Sequence, residues 1–263
     1  MSFKIPIINI SAYVADPSTA SKASIAAAIH SAAISPGFFQ IIGHSVPQSF
    51  QASVLAHIAH FFALPQATKD AVSRAKSPCH RGYEAVGEQH LEAGFQDMKE
   101  GFTMGPEREL GGYLQGPNMW PPEDQVPGFR AAMEEYIDKM RELSVAMFRL
   151  VALSLGLEET YFDEFAGSRN SIRLCRAHRY PPTSKETAAQ SRGIGAHTDF
   201  GALTLLLQDS VSIESRYSIA YFNEGPASQI IECIPTCLDK DGQALYKPVT
   251  AEQHLKNRYE SSY

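Results

Sequence analysis

The sequence predicts an α+β fold, with helices in the first 155 residues and strands after residue 172. In the first part, apolar residues recur at helical spacing in several segments. From residue 172 onward, the pattern changes to short apolar runs of strand length. The chain has 263 residues, of which 44% are hydrophobic and 20% are charged. This composition is ordinary for one globular domain with its own core.

The first helices are separated by clear stop signals. We predict helices over residues 18–34, 48–62 and about 65–74, with a buried strand over 38–42. The first helix is alanine-rich and ends at Ser35-Pro36-Gly37, because proline and glycine do not continue a helix. The second helix is amphipathic, so one of its faces should join the core.

The long helix is the strongest single element of the sequence. Residues 104–127 are rich in Gly and Pro, which predicts an irregular loop and a candidate cover for an active-site mouth. Residues 128–155 then keep helical spacing with a methionine stripe that faces the core, and Gly156 is a plausible stop. Within one structural domain, we therefore distinguish a helix and strand region at 1–103, the loop at 104–127 and the remainder at 128–263.

His197-Thr198-Asp199 is a candidate for two of the three ligands of a non-haem iron site. Two imidazoles and one carboxylate hold iron(II) on one face and leave three positions free. On a strand, residues two apart point to the same side, and the apolar run at 200–208 favours an extended segment here. A triplet of this kind is weak evidence alone, and a strand with two surface polar residues is the alternative.

Arg216-Tyr217-Ser218 is a candidate clamp for an acidic small molecule. On a strand, Arg216 and Ser218 share a face. The guanidinium grips a carboxylate through two parallel hydrogen bonds, and the serine hydroxyl adds a third donor. The alternative is a surface arginine beside a solvated serine.

Together, these motifs resemble the iron- and 2-oxoglutarate-dependent dioxygenases, specifically the isopenicillin N synthase-like branch. The resemblance runs from about residue 5 to the C-terminal helix, and its joint specificity is high. The segments that carry it are residues 5–11, 37–44, 61–65, 81–83, 97–102, 173–182, 197–201 and 216–222.

The resemblance implies a jelly-roll (double-stranded β-helix) core with flanking helices and specific roles for its residues. His197 and Asp199 would bind Fe(II), and Arg216 and Ser218 would hold the far carboxylate of the cosubstrate 2-oxoglutarate. Tyr180 would lie against that cosubstrate. The partners would be oxygen and a small organic substrate that is hydroxylated or similarly oxidised. Two weaker candidates are His178, as a replacement metal ligand, and Arg81, as an anchor for a substrate carboxylate, with a surface arginine as the alternative.

The chain departs from the family pattern between the two motifs. The family places a distal metal histidine nine or ten residues before the arginine, but no histidine occurs between His197 and His254. The family also places several strands there, equivalent to about 40–50 residues at ordinary strand and turn lengths. We therefore expect an internal deletion, an incomplete jelly roll and a protein that is poorly stable or prone to aggregation. A transcript with extra coding sequence at this position would show that the deletion is not genuine.

Three functional interpretations follow from this departure. The first is a 2-oxoglutarate-dependent oxygenase of small-molecule metabolism, either active or inactive in this form. The second is a catalytically dead isoform or remnant. The third is an isopenicillin N synthase-like oxidase, which retains the arginine and serine but does not use 2-oxoglutarate.

Charge and cysteine content exclude several other classes. The net charge of −6 argues against a nucleic-acid or anionic-membrane partner. The four cysteines lack zinc-site spacing and are expected to be free thiols. Because there is no secretory signal and no apolar run of transmembrane length, we expect a cytoplasmic protein.

Overall fold

The structure is a computed structural model that describes residues 4–89, 91–92, 94–182, 191–209 and 214–260. The helices are α1 (Ser11–Ala15), α2 (Lys22–Ile34), α3 (Gln48–Phe62), α4 (Gln66–Ala71), α5 (Phe129–Ser154), α6 (Asp163–Gly167) and α7 (Ala251–Glu260). The strands are β1 (Ile7–Asn9), β2 (Gln40–Ile42), β3 (Gly82–Glu84), β4 (Gln96–Asp97), β5 (Glu100–Met104), β6 (Ser171–Tyr180), β7 (Ser191–Arg192), β8 (Leu203–Gln208), β9 (Arg216–Pro226), β10 (Ile230–Ile231) and β11 (Val249–Thr250).

The predicted helices are all present, although α2 begins four residues later than predicted and α4 ends about three residues earlier. Helix α3 has the predicted bounds, and α5 differs from its prediction by one residue at each end. The methionine stripe of α5 (Met133, Met140 and Met147) is buried, as predicted. The helix ends where Gly156 adopts a φ of +72°, and the Leu157 amide donates back to the Ala152 carbonyl at 3.0 Å. This glycine stop is a common helix C-terminal motif, because a left-handed residue costs glycine no steric strain.

One five-stranded antiparallel sheet, in the order β3-β5-β6-β9-β8, carries the candidate site. One face of this sheet packs against α3 and α5 and contributes Phe102, Ala177, Ile219 and Tyr221 to the core. Because side chains alternate along a strand, the residues between these point to the opposite face. We call that opposite face of the five-stranded sheet the site face.

Strands β8 and β9 form an antiparallel hairpin at the edge of the sheet. Gln208 pairs with Ser218, and Leu203 pairs with Asn223, so residues 209–215 connect the two strands at one end. Leu206 lies on the site face and is 58% exposed. A large apolar side chain with this exposure indicates that no layer of the described residues covers it there.

The other sheets have two strands each. Strand β1 pairs with β2, β4 with β7, and β10 with β11. The prediction that residues 38–42 form a buried strand is wrong, because Phe38 and Ile42 are 52% and 49% exposed. Strand β2 is instead half of a small surface sheet. The α+β class is confirmed, but within the described ranges no second large sheet faces the site face.

Two further expectations concern the thiols and the membrane. All four cysteines are free, as predicted. Across the described part of the chain, no helix combines the length and apolar character needed to cross a membrane.

Candidate iron and 2-oxoglutarate site

His197 and Asp199 lie side by side in the loop before β8. The predicted strand geometry is wrong for this triplet, since β8 begins only at Leu203. Local hydrogen bonds orient the two side chains instead. His197 Nδ1 lies 2.8 Å from the Gly195 carbonyl oxygen, and the Thr204 hydroxyl donates to Asp199 Oδ2 at 2.5 Å. The remaining donor atoms, His197 Nε2 and Asp199 Oδ1, are 3.4 Å apart.

This separation suits two neighbouring positions around one metal ion. Ligand atoms that lie about 2.1 Å from an ion and at right angles to each other are about 3 Å apart. The contact with Asp199 raises the pKa of His197, and the same contact lowers the pKa of Asp199. A metal ion would replace the proton that this pair otherwise shares, so the donor set fits a divalent cation.

Arg216, Ser218 and Tyr180 meet on the site face, as the sequence predicts. Tyr180 pairs with Arg216 across β6 and β9, and the guanidinium lies 3.9 Å from the ring centroid. Arg216 Nη1 also donates to Gln208 Oε1 at 3.1 Å. Ser218 is 1% exposed, and its hydroxyl has no hydrogen-bond partner among the described residues. A buried hydroxyl of this kind is costly unless a ligand completes it, which fits a carboxylate at this position.

His178 is buried next to these groups. It pairs with Ser218 across the strands, and its Nε2 has no partner in the part of the chain that the structure describes. Burial lowers the pKa of His178 well below its usual value, so the imidazole is neutral. His178 lines the same cavity as His197 and Asp199. Nevertheless, the described residues contain no group of three or more His, Cys, Asp or Glu side chains placed to hold a metal ion.

A cavity of about 70 Å³ lies beside His197 and Asp199, the two candidate ligands that we call the metal pair. Its lining combines polar groups with apolar and aromatic side chains: Gln89, Leu91, Leu174, Arg176, His178, Ile194, His197, Asp199, Phe200, Phe222, Glu224, Leu255 and Tyr259. The loop at 104–127 has no helix or strand beyond Met104, as predicted, and it is not part of this lining, so its position over the mouth stays a prediction. Leu255 and Tyr259 of helix α7 contribute to the lining.

Glu224 is a cavity residue that the sequence reasoning missed. Burial, with a smaller contribution from the charge of Asp199, raises the pKa of Glu224 to about 8. A side chain at Gly201 would overlap its carboxyl group, so this glycine allows the close approach. The alternation of side chains along β9 could have predicted this position, because every second residue from Ser218 onward, including Glu224, lies on the site face.

Arg81 is placed differently from the other candidates. Its side chain is 2% exposed, so the alternative of a surface arginine is wrong. The guanidinium donates to the Leu114 carbonyl at 2.9 Å and does not line the cavity. Gly105 has no side chain and makes room for this guanidinium.

Comparison with known proteins identifies the family. Residues 5–123 match the family described as non-haem dioxygenase in morphine synthesis N-terminal. The 2-oxoglutarate-dependent dioxygenase citB of Monascus ruber is 38% identical over 80% of this chain and 67% of its own length. The 2-oxoglutarate-Fe(II) type oxidoreductase hxnY of Emericella nidulans is 31% identical over 98% of this chain and 90% of its own.

A solved structure shows the same fold over nearly the whole chain. A full-length Neurospora crassa protein, crystallised in complex with alpha-KG and thymine, is 24% identical and has a TM-score of 0.85. The alignment covers 98% of this chain and 96% of the Neurospora chain. Taken with the relatives in sequence, these likenesses show that the chain belongs to the 2-oxoglutarate- and Fe(II)-dependent dioxygenases, whose members act on small molecules with oxygen and 2-oxoglutarate.

Proposed function

We propose that this protein is an iron(II)- and 2-oxoglutarate-dependent oxygenase for a small organic metabolite, with a metal site reduced to two protein ligands. The observation that carries the proposal is the 3.4 Å approach of His197 Nε2 and Asp199 Oδ1 at one cavity. Arg216 and Ser218, the proposed cosubstrate clamp, lie on the site face of the sheet.

Each residue would have a separate task in this site. His197 and Asp199 would hold Fe(II), which supplies the oxygen chemistry when it is bound together with 2-oxoglutarate. Arg216 would pair with the distal carboxylate of 2-oxoglutarate, and the Ser218 hydroxyl would donate to the same group. Tyr180 supports the guanidinium by stacking against it. The apolar lining of the cavity would orient the substrate and exclude water.

We propose that an internal deletion removed the distal metal histidine together with several strands. The hxnY alignment extends over 319 positions although this chain has 263 residues, so the chain lacks residues that this relative has. The hairpin supports a deletion at residues 209–215, because β8 and β9 are already neighbours and a short connection joins their ends. The exposed Leu206 supports an incomplete jelly roll, since a second sheet would cover that face.

His178 is the residue best placed to compensate for the missing ligand. Its imidazole is neutral, and its Nε2, which has no hydrogen-bond partner among the described residues, faces a cavity that it shares with the metal pair. The side chain would have to move before it reached the ion, because the described residues form no three-ligand group. We therefore propose that His178 binds the metal only after its side chain moves, and that it is not part of the preformed site.

Turnover with iron tests the proposal. We expect the purified protein, with Fe(II) and 2-oxoglutarate, to form succinate in an iron-dependent reaction that Arg216→Ala slows at least about tenfold, because a bidentate, charge-assisted contact is lost. The reaction should be slow, because one ligand position is open to water. Succinate and dissolved oxygen are measured together.

The other outcomes identify the alternatives. Iron-dependent oxygen uptake without succinate would contradict the use of 2-oxoglutarate and favour an oxidase of the isopenicillin N synthase type. No iron-dependent oxygen uptake at all would favour a catalytically dead form.

A further inference from the structure

Asp97 and Lys99 form a buried ion pair next to residues 193–200, the loop that carries His197 and Asp199. We call this segment the metal loop. Lys99 Nζ donates to Asp97 Oδ2 at 2.7 Å, and both side chains are at most 2% exposed. Burying two charges is expensive, and a buried pair often contributes less stability than apolar residues of the same size would. The position of this pair therefore calls for a reason other than stability.

The second oxygen of Asp97 binds the backbone beside the candidate ligands. Asp97 Oδ1 accepts a hydrogen bond from the Gly195 amide at 2.8 Å. The carbonyl of the same glycine lies 2.8 Å from His197 Nδ1. A connected path therefore runs from Lys99 through Asp97 and Gly195 to the imidazole of His197.

This path determines which imidazole nitrogen is available. A carbonyl oxygen only accepts hydrogen bonds, so Nδ1 must carry the proton in the contact with Gly195. In the neutral ring, Nε2 then has the lone pair that a metal ion needs, and without a metal it is the nitrogen that shares a proton with Asp199 across 3.4 Å. In metal sites generally, such a partner fixes the tautomer and orientation of a histidine ligand.

Gly195 is suited to this contact by its lack of a side chain. A Cβ at position 195 would lie 2.7 Å from the Cβ of Glu92 and 2.9 Å from its backbone nitrogen. Glu92 makes a second contact with the loop, because its Oε2 accepts a hydrogen bond from the Ala196 amide at 3.1 Å. The parallel pairing of β4 with β7 keeps Asp97 beside the segment that leads to the loop.

We propose that Asp97, held by Lys99, is a positioning residue that fixes the loop of His197 and Asp199 and directs His197 Nε2 toward the metal. Asp97 is not itself a ligand in this assignment. The inference rests on the proposed function for the identity of the metal, but the ordering of the loop is a property of the metal-free protein and is measurable without it.

Asp97→Asn is the central variant, and Glu100→Gln is its matched control. Glu100 is also 2% exposed and ion-paired, with Lys69 and Arg179, but it makes no contact with the metal loop. A purely structural role predicts that the two variants behave alike. The positioning role predicts that both lose stability while only Asp97→Asn disturbs the loop.

The first readout is amide hydrogen exchange of the metal-free protein over residues 193–200. We expect exchange there to become at least about tenfold faster in Asp97→Asn and to stay unchanged in Glu100→Gln. The second readout is Co(II) affinity, which should fall roughly 10–100-fold in Asp97→Asn only, the usual effect of losing a partner of a ligand.

The two readouts separate the possible failures. Unchanged exchange in Asp97→Asn, or equal changes in both variants, would overturn the positioning role even if the wild type binds Co(II). If the wild type does not bind Co(II), the proposed function fails, while hydrogen exchange still decides the positioning role. If Asp97→Asn does not fold, Lys99→Gln takes its place, because it removes the group that holds Asp97. Faster exchange over 193–200 in Lys99→Gln supports the proposal, and unchanged exchange contradicts it.

Discussion

Glu224 shows how one buried carboxyl group changes the electrostatics of the cavity. It is 6% exposed, it lies against Gly201, and the negative charge of Asp199 is close enough to raise its pKa further. A carboxyl group with a pKa of about 8 is largely protonated at neutral pH and can donate a hydrogen bond. The cavity therefore presents a neutral donor beside the charged metal pair.

Replacing Glu224 should change how stability depends on pH. The folded pKa is raised to about 8 from an ordinary 4.5, so the folded state holds a proton that the unfolded state releases between these values. The contribution of Glu224 to wild-type stability should therefore fall as pH rises from about 4.5 to 8 and then level off. Glu224→Gln has no proton to lose, so its advantage over the wild type should grow across this range, by up to a few kcal/mol.

Urea unfolding at several pH values between about 5 and 9 measures this difference. Glu142→Gln is the control, since Glu142 is 76% exposed and its replacement should leave a small, flat difference. An advantage of Glu224→Gln that does not change with pH would show that the carboxyl group ionises normally in the folded protein.

At the scale of elements, the β8–β9 hairpin is the most unusual part of the sheet. Strand β8 has the sequence Leu-Thr-Leu-Leu-Leu-Gln, without charge or proline, and it lies at the sheet edge. Natural edge strands usually carry charges, bulges or covering loops that prevent pairing with another chain. An uncharged edge with an exposed leucine therefore favours self-association of this chain.

Leu206→Lys should reduce that self-association at little cost in stability. Leu206 points to the open site face, so a charge there meets water, and the change in unfolding free energy should stay within about 0.5 kcal/mol. Leu205→Lys is the matched control, because Leu205 points to the opposite face and packs against the core. Concentration-dependent light scattering and thermal unfolding distinguish the two variants.

The contrary outcome concerns the proposed incomplete jelly roll. If Leu206→Lys destabilises the protein as strongly as Leu205→Lys, then another layer covers the site face and the jelly roll is not incomplete. A sharp thermal unfolding transition of the monomeric wild type at high temperature would also contradict the incomplete jelly roll.

Periodicity predicted the helices well but did not predict the geometry of the metal loop. Helix α3 and the methionine stripe of α5 followed directly from apolar spacing. His197 and Asp199 do lie together, but the strand geometry that predicted this is not present, and their role as ligands stays a prediction. Their convergence depends on Gly195, Thr204 and the distant Asp97, and contacts across about a hundred residues leave no local pattern.

At the scale of the whole molecule, family membership and the state of the metal site are separate questions. The motifs extend along almost the entire chain, and the hxnY alignment covers 98% of it, so family membership follows from many residues together. The metal site depends on one local segment. The chain has no histidine between His197 and His254, so whether it retains catalysis depends on the proposed loss of the distal ligand.

The most direct measurement for this account is an anaerobic Co(II) titration followed by visible absorption. We expect the wild type to bind one Co(II), and both His197→Ala and Asp199→Ala to weaken binding at least about tenfold, since each removes a direct ligand. His60→Ala is the control, because His60 is an exposed residue of helix α3 and should leave the affinity unchanged. Equal Co(II) affinity in the wild type, His197→Ala and Asp199→Ala would contradict the account.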